Sequence, residues 1–421
     1  MQLTIHRGSR EIGGSCVKIQ TAQATVLIDF GIPLDFDKKS KEEQTQIREQ
    51  AAAWAQEADA IFISHSHADH FGLLPVVQRP IPLYMTPGTA AMLHVNNITL
   101  CGKYSPFMEH IRVLENDPAA TVAVGDIRIT PYPVDHAAMD ACAFLVECDG
   151  RRLLYSGDIR LHSDKGALYR QLPTGVDYML LEGTNLRADK ICVTEEEIGE
   201  TFESLFRTHA EKLCYLWCSG QNIERLKQIY NAALHSGRKL IIDTYLALTF
   251  EQAHRLDASV PSLFDAERVA EDVFRYFHMR TYAAKLQQEG ESALFERLSV
   301  HETVDTRDIG QHPGQYAWMV RPNMQRFIEK YRHTPSIFVT SIWPGYEKEE
   351  SELMEYLEAQ AIPKVAIHTS GHADVPSLQR IVEHVQPGCL VPIHTEFPER
   401  FVDTFPDQNI LLLRDNRPCR L

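Results

Sequence analysis

Long apolar runs are absent from this chain. No stretch approaches the ~18 consecutive apolar residues of a membrane-spanning helix, and the apolar segment from Leu240 to Phe250 is broken by Asp243 and Thr244. No apolar signal region follows Met1, so a cytoplasmic location without membrane partners is expected. An excess of positive charge is also lacking. The 42 Lys and Arg face 57 Asp and Glu, a net −15. That excludes a general polyanion-binding surface, and any nucleic acid has to be met by a local basic groove or by metal ions. The nine cysteines are odd in number and include no CxxC pair, which reads as free thiols in a reducing compartment. Internal repeats and low-complexity tracts are missing too.

The 421 residues present are 44% hydrophobic and 24% charged, an ordinary globular balance with material for two or three domains. The first half reads as strands joined by tight turns. Leu3 to His6, Cys16 to Gln20 and Ala24 to Asp29 are short β-rich runs. Phe144 to Tyr155 splits at Asp149-Gly150 as a hairpin does. From about Thr194 strands alternate with helical periodicity: Glu195 to Ala210, Leu213 to Cys218, Asn222 to His235, Lys239 to Asp243. This alternation suggests a parallel sheet with crossover helices. Residues 250 to 335 favour helix by composition and carry no motif. After Lys348 the pattern is helix, strand, helix, strand, ending at His394.

Chemistry concentrates in His65-Ser-His67-Ala-Asp69-His70, directly after the apolar strand Ile61-Phe-Ile63. Three imidazoles and a carboxylate at a strand end can point into one cavity, and this nitrogen and oxygen mix suits zinc. Other strand-like runs end in an aspartate or histidine: Asp29 in Val26-Leu-Ile-Asp29, His136 in Tyr132-Pro-Val-Asp-His136, and Asp158 in Leu154-Tyr-Ser-Gly-Asp158. Three more strand ends carry Glu182, the run Ser370-Gly371-His372-Ala-Asp374, and His394. His94, His110, His162, His235 and His254 fall into no ligand spacing. Asp135 and Asp140 flank His136 without an evident task.

The six-residue run resembles the HxHxDH signature of the metallo-β-lactamase fold. Glu182, the SGHAD-type His372 and the late His394 resemble the three extra motifs of its β-CASP nuclease branch, the ribonuclease J type above all. That resemblance covers most of 1–245 and 336–400. It implies an α/β protein with a four-layer αβ/βα metallo-β-lactamase domain, residues 1–191 and 349–421. An α/β β-CASP domain, 192–348, would be inserted in it, without the C-terminal domain of ribonuclease J. It implies two zinc ions, with manganese as the alternative. His65, His67 and His136 would hold one; Asp69, His70 and His394 the other; Asp158 would bridge them. Asp29 would orient a ligand histidine. His372, oriented by Glu182, would act on the leaving oxygen, and Ser370 and Gly371 would help cradle a phosphate.

The reaction so implied is hydrolysis of single-stranded RNA, endonucleolytic or 5′-to-3′ exonucleolytic, leaving 5′-phosphate and 3′-hydroxyl ends. His394 is the feature that leans to RNA. DNA is the alternative polymer, and a homodimer is one candidate assembly. Lys190, Arg225, Arg238, Lys239 and Arg321 are candidates for the basic groove. Two other classes stay open: a small-molecule thioester or lactam-type hydrolase, which would turn over a chromogenic thioester, and a non-catalytic scaffold, which would bind little zinc.

Overall fold

The computed structural model describes residues 1–99, 105–186, 191–264, 273–277, 285–288, 290–300 and 304–421. They divide into two compact units. The first holds Met1–Asn97, Lys103–Cys192 and Gly371–Leu421; the second holds Ile98–Gly102 and Val193–Ser370.

The first unit is built on strands β1 (Gln2–Arg7), β2 (Cys16–Gln20), β3 (Thr25–Ile28), β4 (Ala60–Ile63), β5 (Leu83–Met85), β6 (Ile111–Val113), β7 (Val122–Val124), β8 (Ile127–Pro133), β9 (Cys142–Cys148), β10 (Arg151–Tyr155) and β11 (Tyr178–Glu182). The next six strands in the chain, β12 (Leu213–Cys218) to β17 (Lys364–Ala366), belong to the second unit. The last two, β18 (Cys389–Ile393) and β19 (Cys419–Arg420), return to the first. One sheet runs β19-β1-β2-β3-β4-β5-β6 and the other β18-β11-β10-β9-β8-β7.

The two-residue period of a strand explains the layering. Val26 and Ile28 of β3, Ala60 and Phe62 of β4, Leu153 and Tyr155 of β10 and Leu180 of β11 share one core between the sheets. Their neighbours face outwards. Leu27, Ile61 and Ile63 pack against Ile47, Ala51 and Ala55 of the helix Lys41–Glu57. Leu154, Met179 and Leu181 pack against Leu378, Ile381, Val382 and Val385 of the helix Val375–Val385. The outcome is helix, sheet, sheet, helix. The helix Lys41–Glu57 starts in a capping box, Ser40 Oγ accepting from Glu43 N–H and Glu43 from Ser40 N–H, which satisfies donors that a helix start leaves over.

The second unit has its own six-stranded parallel sheet. Its strands are β12 (Leu213–Cys218), β13 (Lys239–Asp243), β14 (Phe274–Phe277), β15 (Tyr316–Met319), β16 (Ser336–Ser341) and β17 (Lys364–Ala366), in the order β14-β13-β15-β12-β16-β17. Every residue of β12, β15 and β16 is buried, as strands of a sheet covered on both faces are.

One expectation changes here. The stretch 250–335 is not helix alone, since β14 and β15 lie in it. The second compact unit closes at Ser370. The physical reason is strand pairing: β17 pairs in parallel with β16, Phe338 to Lys364 through Thr340 to Ala366, which draws the helix Ser351–Ala359 and its connection into the second unit.

Candidate metal centre

The proposed donors stand at strand ends of the first unit. Strand β4 ends at Ile63, and the chain passes through His65 and His67 into the one-turn helix Ala68–Phe71, which carries Asp69 and His70. That turn is sewn to the end of β3: Phe30 N–H donates to the His70 carbonyl at 2.6 Å and Ile32 N–H to the Ala68 carbonyl at 3.2 Å. The approach requires glycine between them, because a Cβ on Gly31 would lie 1.6 Å from the Asp69 carbonyl oxygen. His136 follows β8, Asp158 follows β10 and His394 follows β18. The backbone is left-handed at Asp29 (φ 57°) and His394 (φ 51°), an unfavourable state for such residues that recurs at functional sites.

These side chains converge. Donor atoms of His65, His67, His136 and Asp158 lie within 4.8 Å of one another, as do those of Asp69, His70 and His394, and those of Asp158, His372 and His394. Asp158 stands between the groups. Its Oδ2 is 3.5 Å from His65 Nε2, 3.3 Å from His70 Nε2 and 3.7 Å from His136 Nε2, while its Oδ1 is 3.8 Å from His394 Nε2. His394 Nε2 is 3.3 Å from Asp69 Oδ2.

The far side of each ring is anchored. His70 Nδ1–H donates to Asp29 at 2.7 Å and His136 Nδ1–H to the Gly371 carbonyl at 2.6 Å. His394 Nδ1 pairs with Thr184 Oγ1 at 2.9 Å, and His65 Nδ1 with Ser64 Oγ at 3.0 Å. Each ring therefore turns Nε2 inwards, the arrangement that fixes tautomer and orientation in metal sites.

Of the inward atoms, His136 Nε2 meets His67 Nδ1 at 3.1 Å and His394 Nε2 meets Asp69 Oδ2 at 3.3 Å, while three others lack a protein partner. His65 Nε2, His70 Nε2 and Asp158 Oδ1 are buried without a hydrogen bond. Leaving such groups unsatisfied is costly, and a cation between them would remove the cost. Burial holds His65 and His136 well below the usual histidine value and brings His67 to about 4, so these rings are neutral and able to ligate. Burial acts against charge on His70 as well, but Asp158, Asp29 and Asp69 outweigh it and raise its value well above normal. That position favours positive charge, whether proton or metal cation. The neutral imidazoles and carboxylates fit zinc.

His372 stands beside this cluster. Its Nδ1 is 3.1 Å from Glu182 Oε1 and 3.8 Å from Asp158 Oδ2. Burial opposes its protonation, yet Glu182 and Asp158 lift its value to about 9. Asn185 Nδ2 holds the segment by donating to the carbonyls of His372 and Ala373.

Of the expected phosphate cradle, Ser370 closes the second unit and Gly371 reopens the first, and the Gly371 carbonyl accepts from His136. The following helix begins at Val375, and its Ser377 N–H is taken by the Asp374 side chain at 3.0 Å. The basic candidates change. Arg225 is buried on Glu195, Arg238 is buried on main-chain carbonyls, and Arg321 pairs with Asp243. Lys239 is half-buried, and Lys190 lies outside the described residues.

Sequence reasoning missed several supports. Asp29 accepts from Ser64 N–H at 2.7 Å, Ser64 Oγ at 2.8 Å and Tyr155 Oη at 2.6 Å, besides His70. Tyr155 could have been found from the strand period, because it shares the inward face of β10 with Leu153. Thr184 had a signal too, lying in the same strand-end run as Glu182.

The beta-lactamase superfamily domain matches residues 25–215, and the Zn-dependent metallo-hydrolase RNA specificity domain matches residues 363–402. The chain has the metallo-β-lactamase/β-CASP architecture, homologous to ribonuclease J. A ribonuclease J from Sinorhizobium meliloti is 24% identical over 80% of this chain and 57% of its own length. One from Helicobacter pylori is 23% identical over 99% of this chain and 60% of its own. The chain thus spans somewhat under two thirds of these relatives. A crystal structure of a protein of unknown function from Enterococcus faecalis V583 shares the fold, with TM-score 0.75 and 21% identity over 100% of this chain and 99% of that one. The β-CASP architecture brings with it the motifs and donor clusters of a metal-dependent hydrolase. Among the described residues no helix is long and apolar enough to cross a membrane.

Proposed function

We propose that this chain is a zinc-dependent ribonuclease that hydrolyses single-stranded RNA. The observation that carries the reading is the His372–Glu182 pair, with His372 Nδ1 3.8 Å from Asp158 Oδ2 beside two groups of metal donors. The RNA specificity domain match spans 363–402 and so includes both His372 and His394.

His65, His67 and His136 would hold one zinc ion, Asp69, His70 and His394 a second, and Asp158 would touch both; manganese is the alternative ion. Zinc bound there supplies Lewis acidity, activating water near neutral pH and offsetting phosphate charge. The chain's own residues do the rest. Asp29 fixes His70 and Thr184 fixes His394, so the donors are preset. Glu182 holds the His372 Nδ1 proton, which directs the opposite nitrogen, Nε2, at the substrate. Water attacks phosphorus in line and gives up one proton to solvent as the bond to the 3′ oxygen breaks, and His372 Nε2 delivers its proton to that oxygen. The products are a 5′-phosphate and a 3′-hydroxyl.

The test pairs the metal content of the purified protein with cleavage of matched single-stranded RNA and DNA oligonucleotides, each with a 5′-phosphate or a 5′-hydroxyl. About two zinc per chain and preferential RNA cleavage are expected. Equal or better DNA cleavage would change the substrate. Two zinc with neither polymer cut would move the reading to small-molecule hydrolysis, and metal-free protein would move it to a scaffold.

A further inference from the structure

Asp135 directly precedes the donor His136 and plays no part in the chemistry proposed for the centre. In the structure it meets Arg160, two residues beyond the donor Asp158. Both side chains are buried, at 1% and 0% exposure. Arg160 Nε donates to Asp135 Oδ1 at 2.9 Å and Ser163 N–H to Asp135 Oδ2 at 3.1 Å. The main chains are joined too, Arg160 N–H donating to the Asp135 carbonyl at 2.8 Å. Between them, Ile159 ties the same segment to the His372 side of the centre: its carbonyl accepts from Ala373 N–H at 2.7 Å, and its N–H donates to Glu182 Oε1 at 3.4 Å.

A buried ion pair is weak support for stability, because desolvation of both charges offsets their attraction. What this pair does is connect two loops that bear donors. His136 and Asp158 come from different strands, β8 and β10, and their approach to 3.7 Å depends on how those loops are held. Asp135 grips one loop directly beside its donor, and Arg160 grips the other close to its own. The bonds made by Asp135 are directional on both carboxylate oxygens, so they fix orientation as well as distance.

We propose that Asp135 and Arg160 are positioning residues, a buried clamp that sets His136 and Asp158 on the same cation. This rests on the metal-holding part of the function proposed above and is independent of the nucleic acid. Neither residue is a ligand. Both act through the donors beside them.

The experiment uses the full chain and reads metal binding rather than turnover. Zinc affinity is measured by competition with a chromophoric chelator. The visible spectrum of the cobalt-substituted protein reports donor geometry, and the melting temperature of metal-stripped protein reports stability. Asp135→Asn keeps the shape but can accept only one of the two bonds. It is expected to lower the affinity for at least one ion roughly 10–100-fold, the usual effect of losing a partner behind a ligand, and to alter the cobalt spectrum. Arg160→Lys keeps the charge and is expected to lose less than Arg160→Met. A variant whose stripped form melts lower, but whose zinc affinity and cobalt spectrum match wild type, would make the pair a purely structural contact and overturn the proposal. Should a single variant fail to fold, the double variant Asp135→Leu/Arg160→Met leaves no unpaired charge, and wild-type zinc affinity in it is equally decisive. Wild-type protein without zinc would overturn both the clamp and the metal centre. Zinc-loaded protein that cuts no RNA would remove the substrate and leave the clamp standing.

Discussion

The buried donors at the centre of the first unit and the buried arginines of the second are completed by different means. In the second unit Arg238 spends its guanidinium on the carbonyls of Lys212, Tyr316, Phe206 and His209, at 2.6–3.0 Å. Arg225 meets both oxygens of Glu195 at 2.7 and 3.1 Å and also reaches Ser341. Protein atoms satisfy both arginines. In the first unit, His65 Nε2, His70 Nε2 and Asp158 Oδ1 are just as buried and have no protein hydrogen bond. Isolated atoms of that kind exist in the second unit as well, such as Tyr215 Oη and Trp318 Nε1. What separates the two regions is that His65 Nε2 and His70 Nε2 both lie within 3.5 Å of the Asp158 carboxylate, and all three groups can act as metal ligands. A satisfied buried charge fixes the groups around it. A cluster of unsatisfied donors provides a place for something else.

The hardest test of that contrast is Asp158→Ala. It removes the atom that approaches both donor groups, so at least one metal ion should be lost. Phosphodiester turnover should fall by about 10³-fold or more, equivalent to several kcal/mol of charge stabilisation. Metal analysis and initial rates decide it, and wild-type turnover would break the two-metal reading. His372→Ala sharpens the contrast inside the first unit. If His372 handles the leaving oxygen, zinc content stays at the wild-type level while the rate falls about 10²–10⁴-fold, the range for a lost general acid. Because His372 also lies within 4.8 Å of Asp158 and His394 donors, a parallel loss of zinc would reassign it as a ligand.

Arg225→Ala tests the other region. It strands Glu195 in the interior and should cost about 3–5 kcal/mol of stability. Folded protein should still bind zinc as wild type does. A fall in zinc affinity in the folded fraction would mean that the two kinds of buried charge are not independent.

The donors were legible because they are local. Three histidines and an aspartate lie within His65–His70, and the rest sit at ends of strands whose apolar runs mark them. The layers were legible only through the family resemblance, because β3, β4 and β11 are continuous apolar runs with no alternation to tell one face from the other. Burial by distant partners was not. Arg225 follows Ile223-Glu224 on a helix whose apolar positions are plain, yet its burial depends on Glu195, which no local pattern pairs with it. Tyr316–Met319 is a four-residue strand buried on both faces, and such a run has no period to separate it from helix. The extent of the second compact unit was not legible for a related reason. Lys364–Ala366 could be read as a strand, but which sheet it joins is settled by its pairing with β16, not by its own residues.

The finest form of the comparison is Tyr155→Phe. The phenol donates to Asp29 Oδ2 at 2.6 Å, the same oxygen that holds His70 at 2.7 Å and Ser64 Oγ at 2.8 Å. Removing the hydroxyl leaves Asp29 with its other donors, so no buried charge is abandoned. The cost should be that of one hydrogen bond to a charged group, about 1.5–3 kcal/mol. Zinc affinity should fall by less than in Asp158→Ala, because His70 keeps its anchor and loses only part of what steadies it. Thermal melts with and without zinc separate the two effects. An equal shift in both would place Tyr155 with the satisfied charges that hold the fold. A larger shift in the zinc-loaded protein would place it with the metal centre, and that is the outcome expected from an oxygen shared with His70.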